Sequence, residues 1–598
     1  MFVRKKVVRR HGREYVYQDV VRSVRVKGKP RQERLASLGR IVESLDEGQK
    51  NELLRVVAKW AGLPVPGQAS PSGPTMPAQH GPDPLIGDCR NYGDVVAVEN
   101  AWEAVGLGRI LRDVGREAGL GFDVERAIFA MVANRLIDPR SKYGTAEWLF
   151  RDVYLPTGTP LDADELYLAL TWLARKQSDV EVGVYQSLVA SKRIDATAVF
   201  YDTSAVWFEG RGPEGLAERG RPKGTHPPNR RLILLGLVRS LNGWPIAHRI
   251  FPGNAADVET VKPMLRDLVE RFGVRRFIFI CDRGMISEKV IRFFEDELKV
   301  DYIIATKLRT EAEVRDSVLG RAGRFREIDE QLGVKEVYCE GRRYVVCRNP
   351  VEVEADARRR EEIIETLKKK HLDRPCGATT KRAKKLVTSA SFGRYLTEKK
   401  GFVVLDQDKV QRDARYDGKW VLRTNLPAVR VPKEEVARLY KLEGGIEHDF
   451  REIKTFFELR PIYHRIEPRV RAHVFVCVLA KVVARELETR LHRSGFIGTS
   501  TDAVLKELGH VQVVEVGQGD ERRYVRARLQ PAQEDLFRRL SIDPASLPWR
   551  LPLYPIERPR KTRLDNVQAE RRRQARKRAR HEAWLLTRQA RRKRSVDT

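Results

Sequence analysis

The stretch that decides the fold begins with TAVFYDTSAVWF (residues 197–208) and ends with FIFICD (residues 277–282). Each segment contains a short apolar run typical of a buried strand, and each run leads into an aspartate, Asp202 or Asp282. Between them lie two more strand-like segments, joined by an Asn-Gly pair at residues 242–243, which indicates a hairpin. An amphipathic helical pattern precedes the last strand. This order of strand, hairpin, helix and strand predicts an α/β core.

A third acidic residue, Glu447, lies in YKLEGGIEHDFREIK (residues 440–454), which has helical periodicity. On one helix Glu447, Arg451 and Lys454 stand at i, i+4 and i+7 and share a face. Asp449 lies about 200° from Glu447 and is a poorer ligand candidate. Four apolar residues form a neighbouring stripe: Ile446, Phe450, Ile453 and Phe457. The pattern predicts a helix that buries one side and presents Glu447 and Lys454 on another.

Carboxylates drawn from strand ends and a helix are the ligands that a two-metal phosphoryl-transfer site requires. Mg²⁺ prefers oxygen ligands, and two ions about 3.5–4 Å apart hold the attacking and the leaving oxygen. We therefore predict that Asp202, Asp282 and Glu447 are catalytic residues and metal ligands for two Mg²⁺ ions, which Mn²⁺ can replace. An aspartate at a strand end is also common as a turn cap, so the prediction depends on the three residues together.

The composition predicts a polyanionic partner. Of the 598 residues, 113 are Lys or Arg and 82 are Asp or Glu, which gives a formal net charge of +31 and argues for nucleic acid or an anionic surface. No apolar run approaches the ~20 residues of a membrane-spanning helix, and the N-terminus has no secretory signal. The six cysteines contain no CxxC pair, so we expect a reducing cytoplasm and neither a zinc site nor a disulfide framework.

Composition and periodicity divide the chain into eight segments. They are a β-rich N-terminal arm (1–62), a linker (63–93), a helical domain expected to bind DNA (94–191), the first part of the catalytic core (195–309), a β-rich insertion (310–430), a helical second part of the core (433–495), a C-terminal region (496–556) and a basic tail (557–598). The tail has 16 Lys/Arg and 5 Asp/Glu, so we expect it to contact phosphates without reading sequence.

These segments resemble the DDE transposases of bacterial insertion sequences, in the branch with a β-strand insertion before the final Glu. That branch carries a signature of Tyr, Arg, Glu and Lys at fixed spacing. Tyr440, Glu447 and Lys454 match three of its positions, and Glu443 occupies the Arg position. The resemblance runs from about residue 15 to residue 490 and includes RPIYHR and HVFVCVLA. It implies a ribonuclease-H-like catalytic core, in which the first and fourth strands are neighbours.

The resemblance also implies an activity. Such a transposase cleaves the ends of its element and joins the freed 3′-OH to target DNA by two-metal phosphoryl transfer, working as a homodimer that pairs two ends. Tyr440, Arg451 and Lys454 would contact DNA, whereas Glu443 cannot serve as a phosphate clamp. Trp420, in KWVLRTNL, resembles a Trp that stacks on a flipped base in hairpin-forming relatives, and a place in the core is the alternative.

Two other functions fit the same sequence. A structure-specific nuclease on the same fold would cut DNA without joining it. A catalytically silent protein would bind the element ends and no longer cut. The intact set of three carboxylates argues against the silent protein, while Glu443 in the Arg position argues weakly for it.

Overall fold

The computed structural model describes ten stretches of the chain: 2–10, 13–26, 29–39, 86–116, 118–155, 161–220, 229–373, 376–389, 391–517 and 522–553. Most of the predicted linker and all of the basic tail lie outside them. The chain divides into two compact units, Met1–Asp83 and Pro84–Thr598. Among the described helices, none is long and apolar enough to cross a membrane.

The first unit contains a three-stranded antiparallel sheet. Its strands are β1 (Phe2–Arg10), β2 (Arg13–Val26) and β3 (Lys29–Gly39), in the order β1-β2-β3. The sequence predicts two strand-like segments here, YVYQDVV and SVRVKG. The structure has one continuous strand, β2, that contains the first segment and the start of the second, SVRV.

The second unit begins with strand β4 (Ile86–Asn91) and a layer of six helices. They are α1 (Gly93–Ala104), α2 (Leu107–Gly115), α3 (Val124–Ile137), α4 (Lys142–Arg151), α5 (Ala163–Arg175) and α6 (Gln177–Ala190). Side-chain caps define the N-termini of α3, α4 and α5. Asp123, Ser141 and Asp162 each accept a hydrogen bond from a backbone N–H of the first turn. Helix α3 is buried along nearly its whole length, which makes it the centre of this layer.

A nine-stranded sheet forms the centre of the second unit. In chain order its strands are β5 (Ala198–Trp207), β6 (Leu232–Ser240), β7 (Pro245–Pro252), β8 (Ile278–Cys281), β9 (Asp301–Ala305), β10 (Arg326–Asp329), β11 (Leu332–Cys339), β12 (Arg342–Arg348) and β16 (Lys419–Thr424). The spatial order is β10-β11-β12-β16-β9-β8-β5-β6-β7. Strand β8 is parallel to both β5 and β9, and the other pairs are antiparallel. The first and fourth strands of the predicted core are therefore neighbours, as expected.

The predicted hairpin joins β6 and β7. Gly243 has a φ of +89°, a value that glycine adopts without the steric cost that a side chain imposes. The crossover from β7 to β8 contains α7 (Asp257–Arg266), and α8 (Glu288–Arg292) joins β8 to β9. These connections give a mixed α/β architecture. Separate hydrophobic clusters cover the two faces of the sheet.

Residues 310–430, predicted as a β-rich insertion, supply four of the nine strands to the central sheet. Strand β16 pairs with β9, so β10, β11, β12 and β16 extend the sheet that carries the two aspartates. The rest of the segment contains α9 (Pro350–Thr366), α10 (Lys381–Val387), α11 (Gln407–Ala414) and a small sheet of β13 (Cys376–Gly377), β14 (Leu396–Lys399) and β15 (Phe402–Leu405). These elements enclose a separate small hydrophobic cluster.

The chain then forms α12 (Lys433–Lys441), α13 (Gly444–Arg451), a π-helical turn (Glu452–Phe456) and the long helix α14 (Glu467–Arg493). Helix α14 packs against α3, α5 and β7, which buries it on most sides and joins the helical layer to the sheet. The C-terminal elements are α15 (Thr501–Gly509), β17 (Gln512–Val516), β18 (Arg523–Arg526), α16 (Pro531–Arg539) and β19 (Arg550–Leu551). Strand β17 pairs with β4, which ties the end of this unit to its beginning.

Candidate active site

The two predicted aspartates stand side by side at the centre of the sheet. Tyr201 of β5 pairs with Cys281 of the parallel strand β8, so Asp202 and Asp282 are the next residues on adjacent strands. Neighbouring strands lie about 4.8 Å apart, which sets the two carboxylates close together. Both side chains are half-buried.

Asp202 differs from the prediction in one respect, because it does not end its strand. Strand β5 continues to Trp207 and pairs with β6 along its whole length. Strand β8, in contrast, has four residues and stops at Cys281, so its ladder with β5 ends at Tyr201. The early end of β8 opens the edge of β5 beside Asp202. The backbone N–H of Thr203 donates to Asp202 Oδ1 at 2.6 Å and orients the carboxylate.

The predicted single helix over residues 440–454 is interrupted. Helix α12 ends at Lys441, α13 begins at Gly444, and the residues after Arg451 form the π-helical turn. The Gly-Gly pair at 444–445 has low helix propensity. The guanidinium of Arg239 occupies the space beside Gly445, so a Cβ there would require this side chain to move. The apolar stripe is confirmed, since all four of its residues are buried: Ile446, Phe450, Ile453 and Phe457.

Glu443 joins the predicted carboxylates in what we call the acidic cluster, formed by Asp202, Asp282, Glu443 and Glu447. Burial raises the pKa of Glu443 to about 7, and the negative charges of Asp282, Asp202 and Glu447 add to the rise. Like charges have this effect only at short range. Burial also raises the pKa of the Cys281 thiol well above its usual value, and Glu443, Asp282 and Asp202 contribute. Glu447 is the exposed member of the cluster.

Two of the residues predicted to contact DNA, Lys454 and Tyr440, lie beside this cluster. Lys454 Nζ donates to Ser204 Oγ at 2.6 Å, two residues beyond Asp202 on β5. Tyr440 is half-buried; burial raises its pKa above the usual range, and Glu443 and Asp282 add to the rise, which places its hydroxyl near the cluster. Arg451, in the last turn of α13, is exposed. The DNA contacts of these residues stay a prediction.

Trp420 lies near the start of β16, opposite Cys347 of β12. Its half-buried ring packs against the main hydrophobic cluster, and its indole Nε1 is buried with no hydrogen-bond partner among the described residues. These contacts are those of a residue that belongs to the core, the alternative that the sequence left open. The base-stacking role of Trp420 stays a prediction.

A groove of about 340 Å³ opens next to Asp282. Its lining includes Arg283 and, from the turn after β9, Lys307 and Arg309. All three cations are exposed, and Arg309 also donates a hydrogen bond to Asp413 at 3.0 Å. Sequence reasoning did not identify these cations. Arg283 could have been found from its position directly after Asp282, but Lys307 reaches the groove only through the parallel pairing of β8 and β9.

A second group of possible metal ligands lies on the opposite side of the same helix. One ligand atom each from His448, Asp449 and Glu452 lie within 4.8 Å of one another. However, Lys481 of α14 forms ion pairs with both carboxylates, and its Nζ is 3.4 Å from Asp449 Oδ1. Arg239 is a further partner of Asp449, at 3.2 Å. The group is therefore an internal ion network whose cations are Lys481 and Arg239. It also confirms that Asp449 faces away from the site.

Two family models match the chain. One, described as "Transposase DDE domain", matches residues 212–482, and the other, described as "IS1634 family transposase, N-terminal domain", matches residues 3–61. The first match includes Asp282, Glu443 and Glu447 and begins after Asp202. No curated protein matches the chain.

Two solved structures share a weak likeness with this chain. They are "Mos1 transposase paired-end complex with left transposon end" (TM-score 0.14) and "Crystal structure of a pre-cleavage Mos1 transpososome" (TM-score 0.13). Each is 13% identical in sequence and covers 44% of this chain and 70% of the other. TM-scores this low carry no structural argument. The two family models cover more than half of the chain, and one is specific to an insertion-sequence family, so the chain belongs to the DDE transposases of bacterial insertion sequences.

Proposed function

We propose that this chain cleaves the ends of its insertion sequence and joins the freed 3′-OH to target DNA by metal-dependent phosphoryl transfer. The observation that carries the proposal is the parallel pairing of Tyr201 with Cys281, because it sets Asp202 and Asp282 side by side. The strand order β7-β6-β5-β8-β9, with β5, β8 and β9 parallel, supports a ribonuclease-H-like core. Glu447 comes to the same region from α13 and completes the proposed catalytic set.

The acidic cluster fits divalent magnesium. Four carboxylates crowd together: burial raises the pKa of Glu443, and the negative charges of its three neighbours, which a hard cation would neutralise, add to the rise. Asp202, Asp282 and Glu447 would hold two Mg²⁺ ions, which Mn²⁺ can replace, and Glu443 is a fourth candidate ligand. When bound, the ions would stabilise charge at the phosphorus and lower the pKa of the attacking group.

The chain's own residues would position the DNA. Lys454 lies against β5 two residues from Asp202, within reach of a phosphate held at the acidic cluster. Tyr440 and Arg451 would add contacts from α12 and α13, and Arg283 and Lys307 would line the path on the other side of Asp282. The net charge of +31 supports double-stranded DNA, both element end and target, as the substrate. We place the reaction in the cytoplasm, on a homodimer that pairs two ends.

The decisive experiment compares Asp202→Asn, Asp282→Asn and Glu447→Gln with the unchanged chain. The substrate is a duplex that carries the terminal inverted repeat of the element, supplied with Mg²⁺. Each variant should lose cleavage and keep DNA binding, because an amide replaces a hard anionic ligand at nearly constant size. Asp179→Asn, at an exposed ion pair on α6, is the matched control and should cut normally.

The outcomes separate the candidate functions. A variant that cuts near the rate of the unchanged chain removes its residue from the site. Cleavage by the unchanged chain without strand joining would assign it as a structure-specific nuclease. Binding without any cleavage would assign it as a silent end-binding protein. For Glu443, the variant Glu443→Gln should raise the Mg²⁺ concentration needed for half-maximal cleavage, and an unchanged requirement would remove Glu443 as a ligand.

A further inference from the structure

An exposed aromatic surface lies beyond the acidic cluster. Tyr463, in the segment between the π-helical turn and α14, is 69% exposed, and Tyr143, in the first turn of α4, is 67% exposed. Large aromatic side chains normally bury their rings, and rings left this open mark surfaces that contact something else. The function proposed above uses neither residue.

Ring contacts link Tyr143 to His464, the residue next to Tyr463 in the chain. The Tyr143 and Tyr167 ring centroids are 6.1 Å apart, and those of Tyr167 and His464 are 6.0 Å apart. His464 follows Tyr463 directly in the chain. Burial, with help from Lys142, Arg469 and Arg135, lowers the pKa of His464 to about 3, so this ring is neutral and apolar in character at physiological pH.

Arginines are interleaved with these rings. The guanidinium of Arg469 lies over the Tyr167 ring, 4.6 Å from its centroid. Arg465 is exposed and has no ion-pair or hydrogen-bond partner among the described residues. Of the carboxylates nearby, Glu467 is already paired with Arg471 at 2.8 Å, and Asp164 lies close enough to affect Tyr167. We call Tyr143, Tyr167, Tyr463, His464, Arg465 and Arg469 the tyrosine–arginine surface.

The surface is continuous with the strand that carries Asp202. The backbone N–H of Ile462 donates to the carbonyl of Trp207 at 3.0 Å, and the N–H of Glu209 donates to the carbonyl of Ile462 at 3.0 Å. Trp207 is five residues beyond Asp202, which at about 3.3 Å per residue is about 17 Å. One strand of a duplex rises about 3.4 Å per base pair, so the distance corresponds to about five nucleotides.

We propose that the tyrosine–arginine surface binds unpaired bases of a DNA strand that leaves the acidic cluster, by stacking them on Tyr143 and Tyr463. Open ring faces alternating with arginines are the arrangement that binds single-stranded nucleic acid, because every base has a face to stack and every nucleotide a phosphate to neutralise. A duplex alone would require the arginines and leave the rings unused. The proposal rests on the proposed function for the identity of the strand as DNA.

The test uses the full chain without divalent metal, so that no cleavage occurs. The probes are a duplex with a single-stranded thymidine extension and the same duplex with blunt ends. Tyr143→Ala and Tyr463→Ala should each weaken binding of the extended duplex at least about fivefold and leave binding of the blunt duplex unchanged. Tyr463→Phe should bind like the unchanged chain, because it keeps the ring. Tyr338→Ala is the matched control, since Tyr338 is a similarly exposed residue (52%) on β11.

Each other outcome overturns the proposal. Equal loss of both probes would mean that the tyrosines contact duplex backbone, and loss with Tyr463→Phe would mean that the hydroxyl matters instead of the ring. No change with either alanine variant would mean that the surface does not bind DNA. Melting temperatures near that of the unchanged chain are expected, because both side chains are exposed. Since no cleavage is measured, failure here differs from failure of the catalytic proposal, which appears as Asp202→Asn still cutting.

Discussion

Lys481→Met tests how α13, the helix that carries Glu447, is held against the protein. Lys481 is 1% exposed, and three carboxylates surround its ammonium: Asp449, Glu452 and Glu488. Burial alone would lower the pKa of Lys481, but these carboxylates raise it above its ordinary value, so the residue is charged inside the protein. Methionine keeps most of the volume of the side chain and removes the charge.

The size of the destabilisation depends on which cations remain beside each carboxylate. Asp449 retains Arg239 at 3.2 Å, and Glu488 retains Arg485 at 3.0 Å. Among the described residues, Glu452 retains only the exposed His448, at 3.5 Å. Breaking a buried ion pair costs about 3–5 kcal/mol, and because Asp449 and Glu488 each keep an arginine we expect the lower end, about 3 kcal/mol.

The assay is thermal unfolding followed by cleavage below the melting temperature. The control is Lys506→Met, the same substitution at an exposed pair with Asp502, which should cost about 0.3–0.5 kcal/mol. Asp449 and Glu452 belong to the same helical segment as Glu447, so Lys481→Met should also slow cleavage without weakening DNA binding. A melting temperature like that of Lys506→Met would refute the energetic argument, and normal cleavage by a destabilised variant would refute the positioning argument.

Three further predictions concern other parts of the chain. Burial raises the pKa of Asp94 to about 6, so the folded state loses stability as pH rises from about 4 to about 6, by about 3 kcal/mol. Asp94→Asn should therefore raise the melting temperature at about pH 8 and not at about pH 4; equal effects would contradict this. Trp420→Ala should destabilise the fold by about 3 kcal/mol, as expected of a core contact, and lower the melting temperature accordingly. A defect confined to strand joining would instead support base stacking. Removing residues 557–598 should reduce the log–log salt dependence of DNA binding by about 0.9 per lost phosphate contact, and an unchanged slope would show that the tail does not touch DNA.

The elements of the core could be predicted from the sequence because their signals are local. The apolar runs before Asp202 and Asp282 and the hairpin at Asn242-Gly243 depend on nearby residues alone, and each element is where the pattern placed it. Strand partners could not be predicted for the insertion. Periodicity identifies a strand but not its neighbour in the sheet. No local sequence signal therefore predicts that β16 pairs with β9, which lies more than a hundred residues earlier in the chain.

The site was predictable to the same extent. Adjacent parallel strands bring consecutive motifs together, and the two aspartates were found from their frames. The interruption of the helix at Glu443 could have been expected from Gly444-Gly445, because glycine has low helix propensity. The cations Lys307 and Lys481 could not be found, since each reaches its place through tertiary packing alone.

The acidic residues along α13 fall into two groups, one with cationic partners and one with none among the described residues. Behind the helix, Asp449 and Glu452 meet Lys481, and Gly445 leaves the space through which Arg239 reaches Asp449. In front, Glu443 and Glu447 meet two more carboxylates, and among the described residues neither glutamate has an ion-pair partner. The helix thus divides its acidic residues by periodicity, because residues three and four apart share a face and those two apart do not. The neutralised rear face anchors the helix, and the negative front face agrees with the metal site proposed above.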